Sequence, residues 1–166
     1  VPYTGMICST RESKEVRAKV LKLGISQISG ASKTSVGGYA KDSEENSCEE
    51  DSSQFDVNDT RSLDDVIKWL MEEGYLPSFC TACYREGRTG ERFMEICKSK
   101  QIQNCCQPNA LLTLKEYLED YASEETKKVG NELIKEEIPK LSNKALTGKV
   151  EELLRDIEQG GRDYRF

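Results

Sequence analysis

The chain has 166 residues, enough for one hydrophobic core, and carries 30 acidic and 24 basic residues for a net charge of -6. This balance excludes the basic footprint of a nucleic-acid-binding protein, and no apolar run approaches the roughly 20 residues that cross a bilayer. Histidine is absent, which excludes catalysis by a histidine base within these residues. The seven cysteines predict reduced thiols, some of them metal ligands, in a cytoplasmic or other reducing compartment.

The first 30 residues predict a strand, a helix and a second strand. The apolar run 1–9 predicts a buried strand, and because it starts at Val1 without a leader or a methionine, we expect the chain to be part of a longer protein. Ser9–Glu12 matches the S-x-x-E capping box of a helix that Gly24 ends. Three apolar residues share one face of this helix: Val16, Val20 and Leu23. With a second strand at 25–29, this is a parallel crossover unit, which must belong to a larger α/β sheet because both of its faces need cover.

The loop 30–39, rich in glycine, serine and threonine, follows the carboxyl end of the second strand. In parallel α/β folds this is where ligands bind, although a polar loop that only turns the chain fits the same pattern. Residues 41–59 hold eight acids and one lysine with few apolar side chains. We therefore expect 41–61 to be an acidic, flexible loop.

From residue 62 the apolar spacing becomes helical, and we expect 62–166 to form a helical domain. Five helices are predicted: from Ser62 to near Gly74, from Gly90 to Lys100, from Pro108, from Ser123 to Pro139, and a last one closed by Gly160. The second of them is expected to turn Phe93, Ile96 and Cys97 inward. Most of the cysteines lie in this helical part.

Cys80 and Cys83 form a C-x2-C pair in a predicted loop, and Cys106 follows with 22 residues between it and Cys83, on the short connection before Pro108. A C-x2-C hairpin can direct two sulfurs at one metal, and a third thiolate from a later loop can close the site. Structural zinc normally needs four ligands, so it would require Cys97 or Cys105 as well, and adjacent cysteines chelate one ion poorly. A dithiol redox motif would instead begin a helix directly after a strand.

Three thiolates without a fourth protein ligand also suit a cubane iron-sulfur cluster that leaves one iron open to an exogenous ligand. Arg85 and Arg88, just past the C-x2-C pair, could offset the charge of such a cluster or hold a carboxylate, and they equally fit solvated loop arginines. The spacing alone leaves the cluster, the zinc site and the redox motif open.

The stretch "SFCTACYREGRTG" and the later "CQPNALLTLKEYLEDYAS" resemble the C-terminal region of the radical-SAM tyrosine lyases that mature FeFe-hydrogenase. The opening "VPYTGMICSTRES", the loop "SQISGASKTSVGGY", then "RSLDDVI" and the closing "GGRDYRF" are similar to the same family in the same order. The resemblance covers essentially the whole chain and is weakest at the acidic residues 41–56.

The resemblance implies an α/β fold class: residues 1–40 would be the last two β/α units of a (β/α)8 radical-SAM barrel, and 62–166 a mainly helical C-terminal cluster-binding domain. It implies that Cys80, Cys83 and Cys106 hold an auxiliary 4Fe-4S cluster with a possible extra iron. The family rarely has cysteine before the last ligand, so Cys105 competes with Cys106, and Cys106 keeps the family's distance to Pro108. Arg85 and Arg88 would lie around this cluster. Contacts to tyrosine or S-adenosylmethionine are expected from five residues: Thr10, Arg11, Ser32, Lys33 and Thr34.

The implied reaction is cleavage of L-tyrosine to p-cresol, carbon monoxide and cyanide, with an Fe(CO)(CN) precursor delivered toward the hydrogenase H-cluster. S-adenosylmethionine and a second 4Fe-4S cluster would belong to a missing N-terminal portion, because no C-x3-C-x2-C occurs among the cysteines of this chain. Its partners would be that portion, L-tyrosine and other hydrogenase maturation proteins, with neither nucleic acid nor a membrane. We expect these residues alone to be inactive, and also marginal or oligomeric. The alternative is a stand-alone zinc- or thiol-based interaction module, or a remnant with merely buried thiols.

Overall fold

The computed structural model describes residues 6–34 and 56–166. Within these ranges the elements follow in the order β1 (Ile7–Cys8), α1 (Lys14–Lys22), β2 (Gln27–Ile28), α2 (Leu63–Glu72), α3 (Ala82–Arg85), α4 (Gly90–Lys98), α5 (Gln103–Asp120), α6 (Glu124–Glu137) and α7 (Lys144–Glu158), with a 3-10 turn at Ile138–Lys140. The contacts divide the chain into two compact units, with the division between Leu63 and Asp64. Over the described ranges we find no helix with the length and apolar character of a membrane span.

The first unit contains a small parallel sheet. β1 pairs with β2 so that Ile7 lies opposite Gln27 and Cys8 opposite Ile28. Parallel strands need a crossover between them, and α1 supplies it. The parallel pairing predicted from the sequence is confirmed, but each strand has only two residues in the described part of the chain, so the chain is mainly helical there. Most of the acidic loop and the end of the loop 30–39 lie outside the described residues.

Helix α1 starts later than the capping-box pattern predicts. Its N-cap is Ser13, whose side chain accepts a hydrogen bond from the amide of Val16 at 3.4 Å. Ser9 instead accepts from the amide of Arg11 at 3.2 Å, so the capping box at Ser9–Glu12 is wrong. Serine binds nearby amides in turns as readily as at helix starts, which explains why the motif misplaced the boundary.

The buried face of α1 also differs from the predicted one. Arg17 and Leu21 are buried, whereas Val16 is exposed and Leu23, which caps the helix, is 83% exposed. The buried face of α1 therefore contains an arginine, whereas the apolar spacing predicted only aliphatic side chains there. Its partners are described with the candidate site.

Helix α5 is the centre of the second unit. Four of its leucines are almost completely buried, and α6 and α7 pack against them. Burying a leucine side chain contributes on the order of 1.5–3 kcal/mol, so this helix carries much of the hydrophobic core. The buried apolar residues of the core cluster are Ile67, Met71, Leu111, Leu112, Leu114, Tyr117, Leu118, Leu133, Ile134, Leu141, Val150, Leu154 and Ile157.

The predicted helices at 62–74 and 90–100 and the two that follow Ser123 are confirmed to within a few residues. Ser123 caps α6 by accepting from the amide of Thr126, and Pro139 lies in the 3-10 turn that ends it. Asn143 caps α7 in the same way. Helix α4 is less buried than predicted, since none of its residues is buried and Phe93, Ile96 and Cys97 are half-buried.

Helix α5 begins at Gln103, five residues before the predicted start at Pro108, which lies inside the helix. Turn-type hydrogen bonds, such as Cys105 N to Ile102 O at 3.1 Å, wind the chain into this helix before the proline. Pro108 is the sixth residue of the helix and removes one amide from its interior, so the preference of proline for the first turn misplaced the boundary. The correction matters for the thiols, because Cys105 and Cys106 lie on the first turn of α5 and not on a loop.

Candidate metal centre

The residues around Cys80 and Cys83 form a tight turn, and we name residues 78–88 the thiol loop. Cys83 lies in the single turn of α3, beside Ala82, which is buried. The sulfur of Cys80 accepts a hydrogen bond from the amide of Ala82 at 3.4 Å, and the amide of Arg88 donates to the Cys83 carbonyl at 2.8 Å. Both thiols are half-buried. An amide directed at the first sulfur stabilises that sulfur in its charged, ligating form.

The thiol loop is anchored to α5 just before Cys80. The amide of Phe79 donates to Thr113 Oγ1 at 3.2 Å, and the Phe79 ring stacks on Tyr117 with ring centroids 5.2 Å apart. Both partners lie on α5, the helix that carries Cys105 and Cys106 at its start. The two parts of the chain that carry the predicted ligands are therefore tied to the same helix.

The other thiols of the second unit influence the pKa of Cys106, which is an exposed residue. Desolvation of its sulfur is the main cause that raises the pKa of the Cys106 thiol to about 11, and the charges of Cys83, Cys80, Cys105 and Cys97 contribute to the same rise. Like-charged groups act this way only at short range. Cys8 is a buried thiol of the first unit, and Cys48 lies outside the described residues.

The thiols share this neighbourhood without forming a closed metal-binding geometry. Among residues 6–34 and 56–166, no three cysteine, aspartate or glutamate side chains are arranged to hold a metal ion. The donor set nevertheless fits a thiolate-bound iron-sulfur cluster, because its members are cysteines delivered from two segments and one of them already accepts an amide hydrogen bond.

The two arginines predicted beside the cluster have different surroundings. Arg85 forms a two-pronged ion pair with Asp163, in which Nη2 donates to Oδ2 at 2.9 Å. Arg88 directs Nη1 at the Cys105 sulfur, 3.7 Å away, and Nη2 at the main-chain oxygen of Phe166, 3.0 Å away. Its Nε is buried and has no hydrogen-bond partner among residues 6–34 and 56–166. Arg88 thus lies at the thiols, whereas Arg85 is engaged with the last residues of the chain.

A pocket of about 520 Å³ lies beside these arginines. Its lining combines three arginines, two acids and two aromatic side chains: Glu86, Arg88, Arg92, Asp163, Tyr164, Arg165 and Phe166. Arg165 Nε donates to Glu86 at 3.1 Å, so part of the charge is neutralised within the wall. The end of the thiol loop and the last residues of the chain, which contact each other directly, both line this pocket.

The predicted substrate contacts lie at the carboxyl ends of β1 and β2. Thr10 is buried, and its carbonyl accepts hydrogen bonds from the amides of Asn58 and Asp59 at 3.1 and 3.0 Å. Arg11 is exposed, and its carbonyl accepts from Asn58 Nδ2 at 2.6 Å. After β2, Lys33 is exposed, and Ser32 and Thr34 are half-buried. The structure thus brings the carboxyl ends of both strands together, with the Thr10 side chain turned away from solvent.

Sequence reasoning missed the residues that hold these strand ends. Arg17 is fully buried and donates to Asp59 and to the carbonyl of Ser29, at the end of β2. Asp59 also accepts a hydrogen bond from Arg61 Nε at 2.8 Å. This bond is the main cause that lowers the pKa of Asp59 to about 2; the charge of Arg17 lowers it as well, and burial acts in the opposite direction. The sequence does contain a signal for this contact, because Arg17 precedes Leu21 by four residues and so lies on the same face of the helix. A charged residue on a buried helix face requires a partner of opposite charge.

Comparisons with known proteins agree with the resemblance drawn from the motifs. The model of the Biotin and Thiamin Synthesis associated domain matches residues 1–76. A search of curated proteins finds no match. A solved structure of HydG, described as a maturase of the FeFe-hydrogenase, is 49% identical with a TM-score of 0.90; the match covers 100% of this chain and 35% of that one. The chain is therefore similar, over its entire length, to about a third of HydG, and the resemblance to that maturase is confirmed.

Proposed function

We propose that this chain is the C-terminal, cluster-holding part of a radical-SAM tyrosine lyase that serves in FeFe-hydrogenase maturation. The observation that carries the proposal is the whole-length similarity to HydG at 49% identity. It is supported by the thiols of both segments, which act on one another electrostatically around Cys106. Residues 1–40 would close the barrel of the longer protein, and 62–166 would form the cluster-binding domain.

In this function Cys80, Cys83 and Cys106 hold an auxiliary 4Fe-4S cluster. When bound, this cluster supplies an iron without a protein ligand, at which carbon monoxide and cyanide can be captured. The amide of Ala82 stabilises the Cys80 thiolate, and the guanidinium of Arg88 offsets negative charge at the thiols. Thr113 and Tyr117, through Phe79, fix the thiol loop on α5.

The remaining chemistry belongs to the longer protein. Tyrosine would be cleaved to p-cresol, carbon monoxide and cyanide by a radical from S-adenosylmethionine, with a second 4Fe-4S cluster in the N-terminal portion. The product would be an Fe(CO)(CN) precursor for the hydrogenase, made in a reducing, anaerobic compartment. Contacts to tyrosine or S-adenosylmethionine at the strand ends would come from five residues: Thr10, whose side chain is buried, Arg11, Ser32, Lys33 and Thr34. The present 166 residues alone would not catalyse the reaction.

Anaerobic reconstitution with iron and sulfide tests the proposal. We expect broad thiolate-to-iron absorption with iron and sulfide in similar amounts, and loss of both in a Cys83→Ser variant. Cys97→Ser is the matched control, because Cys97 is another half-buried thiol of the same neighbourhood and should be dispensable. Unchanged cluster content in Cys83→Ser would overturn the ligand assignment.

A zinc module is the second candidate, since four other thiols act on Cys106 and four thiolates in all suffice for zinc. Under this alternative the protein would retain stoichiometric zinc, show no iron-sulfur absorption, and lose the metal when Cys97 or Cys105 is replaced. The two substitution patterns therefore separate the candidates, because the cluster requires neither of these cysteines.

A further inference from the structure

The last four residues, Asp163–Phe166, connect the two segments that carry the thiols, and we name them the strap. Three of their contacts reach the second half of the thiol loop. Asp163 pairs with Arg85 through both carboxylate oxygens, Arg165 donates to Glu86, and the main-chain oxygen of Phe166 accepts from Arg88 at 3.0 Å. The strap therefore binds the thiol loop directly after Cys83.

The same residues also bind α5 close to Cys106. Asn109, three residues after Cys106 and only 2% exposed, accepts from the amide of Phe166 at 2.8 Å and donates to its carbonyl at 3.2 Å. One turn or more further along, Glu116 accepts from the amide of Asp163 at 2.7 Å. The rings of Tyr164 and Phe166 pack against the hydrophobic core, so apolar contacts also hold the strap in place.

The thiol loop has little other support on this side. Neither α3 nor α4, the helices that lie within it and after it, packs extensively against another helix of the described chain. Phe79 fixes the loop before Cys80, as described above, and the strap fixes it after Cys83. Between these two anchors the loop carries both of its cysteines.

We propose that the strap is the positioning device of the thiol site: it holds the thiol loop against the first turn of α5 and so sets the spacing between the Cys80–Cys83 pair and Cys106. Asn109 is the main positioning residue, because its side chain is buried and its two hydrogen bonds to Phe166 are partly buried, whereas Arg85 and Asp163 of the ion pair are 45% and 61% exposed and are screened by solvent. This inference rests on the proposed function only for the identity of what the thiols hold.

The first test needs no bound cluster. Hydrogen exchange of the apo protein, at its natural length, is compared at the amides of Glu86 and Arg88, which close the thiol loop. We expect Asn109→Ala to accelerate their exchange about 10-fold, with unchanged exchange in α7. Asn109→Asp, which keeps the acceptor for the Phe166 amide, should have an intermediate effect. Arg155→Gln, an exposed arginine on α7, is the control.

The second test uses the protein loaded anaerobically with iron and sulfide and then challenged with an iron chelator. Removing supporting hydrogen bonds around a metal site typically costs about 10- to 100-fold in retention, so Asn109→Ala should release iron at least about 10-fold faster. Arg85→Gln and Asp163→Asn should each have a smaller effect, and the double variant should be no faster than the stronger single one, because both remove the same tie.

Should Asn109→Ala fail to fold, the surface pair Arg85 and Asp163 decides the question by the same two measurements. Exchange and iron release that match the parent protein in Arg85→Gln and Asp163→Asn as well as in Asn109→Asp would overturn the strap. A parent protein that takes up no iron and sulfide would instead refute the proposed function, and the exchange measurement would still decide whether the strap restrains the loop.

Discussion

The carboxylate of Asp64, in the first turn of α2, accepts a hydrogen bond from the hydroxyl of Tyr117, in α5, at 3.1 Å. The same carboxylate accepts from Ser123 Oγ at 2.7 Å and from Thr126 Oγ1 at 2.8 Å, both at the start of α6. One side chain thus joins three helices of the second unit. Since Thr126 is completely buried, the bond to Asp64 satisfies a hydroxyl that water cannot reach.

Replacing Asp64 by alanine should destabilise the second unit. Leaving the hydroxyls of Tyr117 and Thr126 without their acceptor costs about 1–3 kcal/mol of unfolding free energy. Denaturant unfolding followed by the fluorescence of the buried Trp69 measures the loss. The exposed Glu132 of α6, replaced in the same way, is the control and should change stability by no more than about 0.5 kcal/mol.

The same network predicts a pH window for stability. Burial opposes ionisation of Asp64, but hydrogen bonds from Ser123, Thr126 and Tyr117 prevail and lower the pKa of Asp64 below 3.8 in the folded state. Burial and the Asp64 charge raise the pKa of Tyr117 above 10.0. The aspartate therefore stabilises the fold above its unfolded pKa and loses this effect as the pH falls through the folded value. The tyrosine stabilises below its unfolded pKa and loses its effect as the pH rises through the folded value.

The expected result is a plateau of stability between about pH 4 and pH 10 with losses on both sides. Denaturant unfolding of the parent protein and of Asp64→Asn, measured across this range, isolates the contribution of Asp64. The parent should lose more stability on acidification than the asparagine variant does. Parallel pH profiles for the two proteins would contradict the assignment.

Two helical glycines should respond oppositely to alanine. A Cβ on Gly130, in α6, would lie 2.5 Å from Leu118 Cδ1, whereas one on Gly148, in α7, would meet no atom within 4 Å. Gly148→Ala should therefore stabilise by about 0.5–1 kcal/mol through helix propensity. Gly130→Ala should destabilise by about 1–3 kcal/mol, because Leu118 is tightly buried and must move. Thermal unfolding of both variants checks the difference in sign.

Arg17, the buried arginine of the first unit, should stabilise the carboxyl ends of β1 and β2. Arg17→Met removes the donor to Asp59 and to the Ser29 carbonyl and leaves a buried carboxylate with Arg61 as its remaining partner. Breaking a buried ion pair costs about 3–5 kcal/mol, and Arg61 should reduce that cost. Hydrogen exchange at the amides of Asn58 and Asp59, which bind the Thr10 carbonyl, should accelerate while exchange in α5 stays unchanged. Equal acceleration in both places would show a global effect and contradict this role.

The long periodic helices were predictable because their burial pattern is local. The spacing of Leu146, Val150, Leu154 and Ile157 marks α7, and the Ser123 cap marks α6. The start of α5 was not predictable in this way. The proline pattern favours a start at position 108, whereas turn-type hydrogen bonds wind the chain into the helix from Gln103 onward. Short-range motifs compete at such boundaries, and tertiary packing decides among them.

The sequence proposes members of the candidate site but not their supports. The C-x2-C pair can be found by its spacing, and the choice of the later cysteine and of the two arginines follows from the resemblance; these assignments stay predictions. Asn109 and the strap could not be found in either way, because their hydrogen bonds run from a helix to a segment 57 positions away and use main-chain groups that leave no residue signature. Arg17 illustrates the same limit, since its partner Asp59 is 42 residues distant.

Placing Cys105 and Cys106 on a helix changes how the choice between them is made. Consecutive residues on an α-helix are rotated by about 100° around its axis, so the two sulfurs leave the helix in clearly different directions. The buried leucines further along α5 fix the angular phase of the helix, and with it the thiol that faces the C-x2-C pair. With Cys106 as the proposed third ligand, deleting a single residue between Gln107 and Leu111 would move Cys105 into the direction that Cys106 takes, whereas inserting one would move both cysteines out of it.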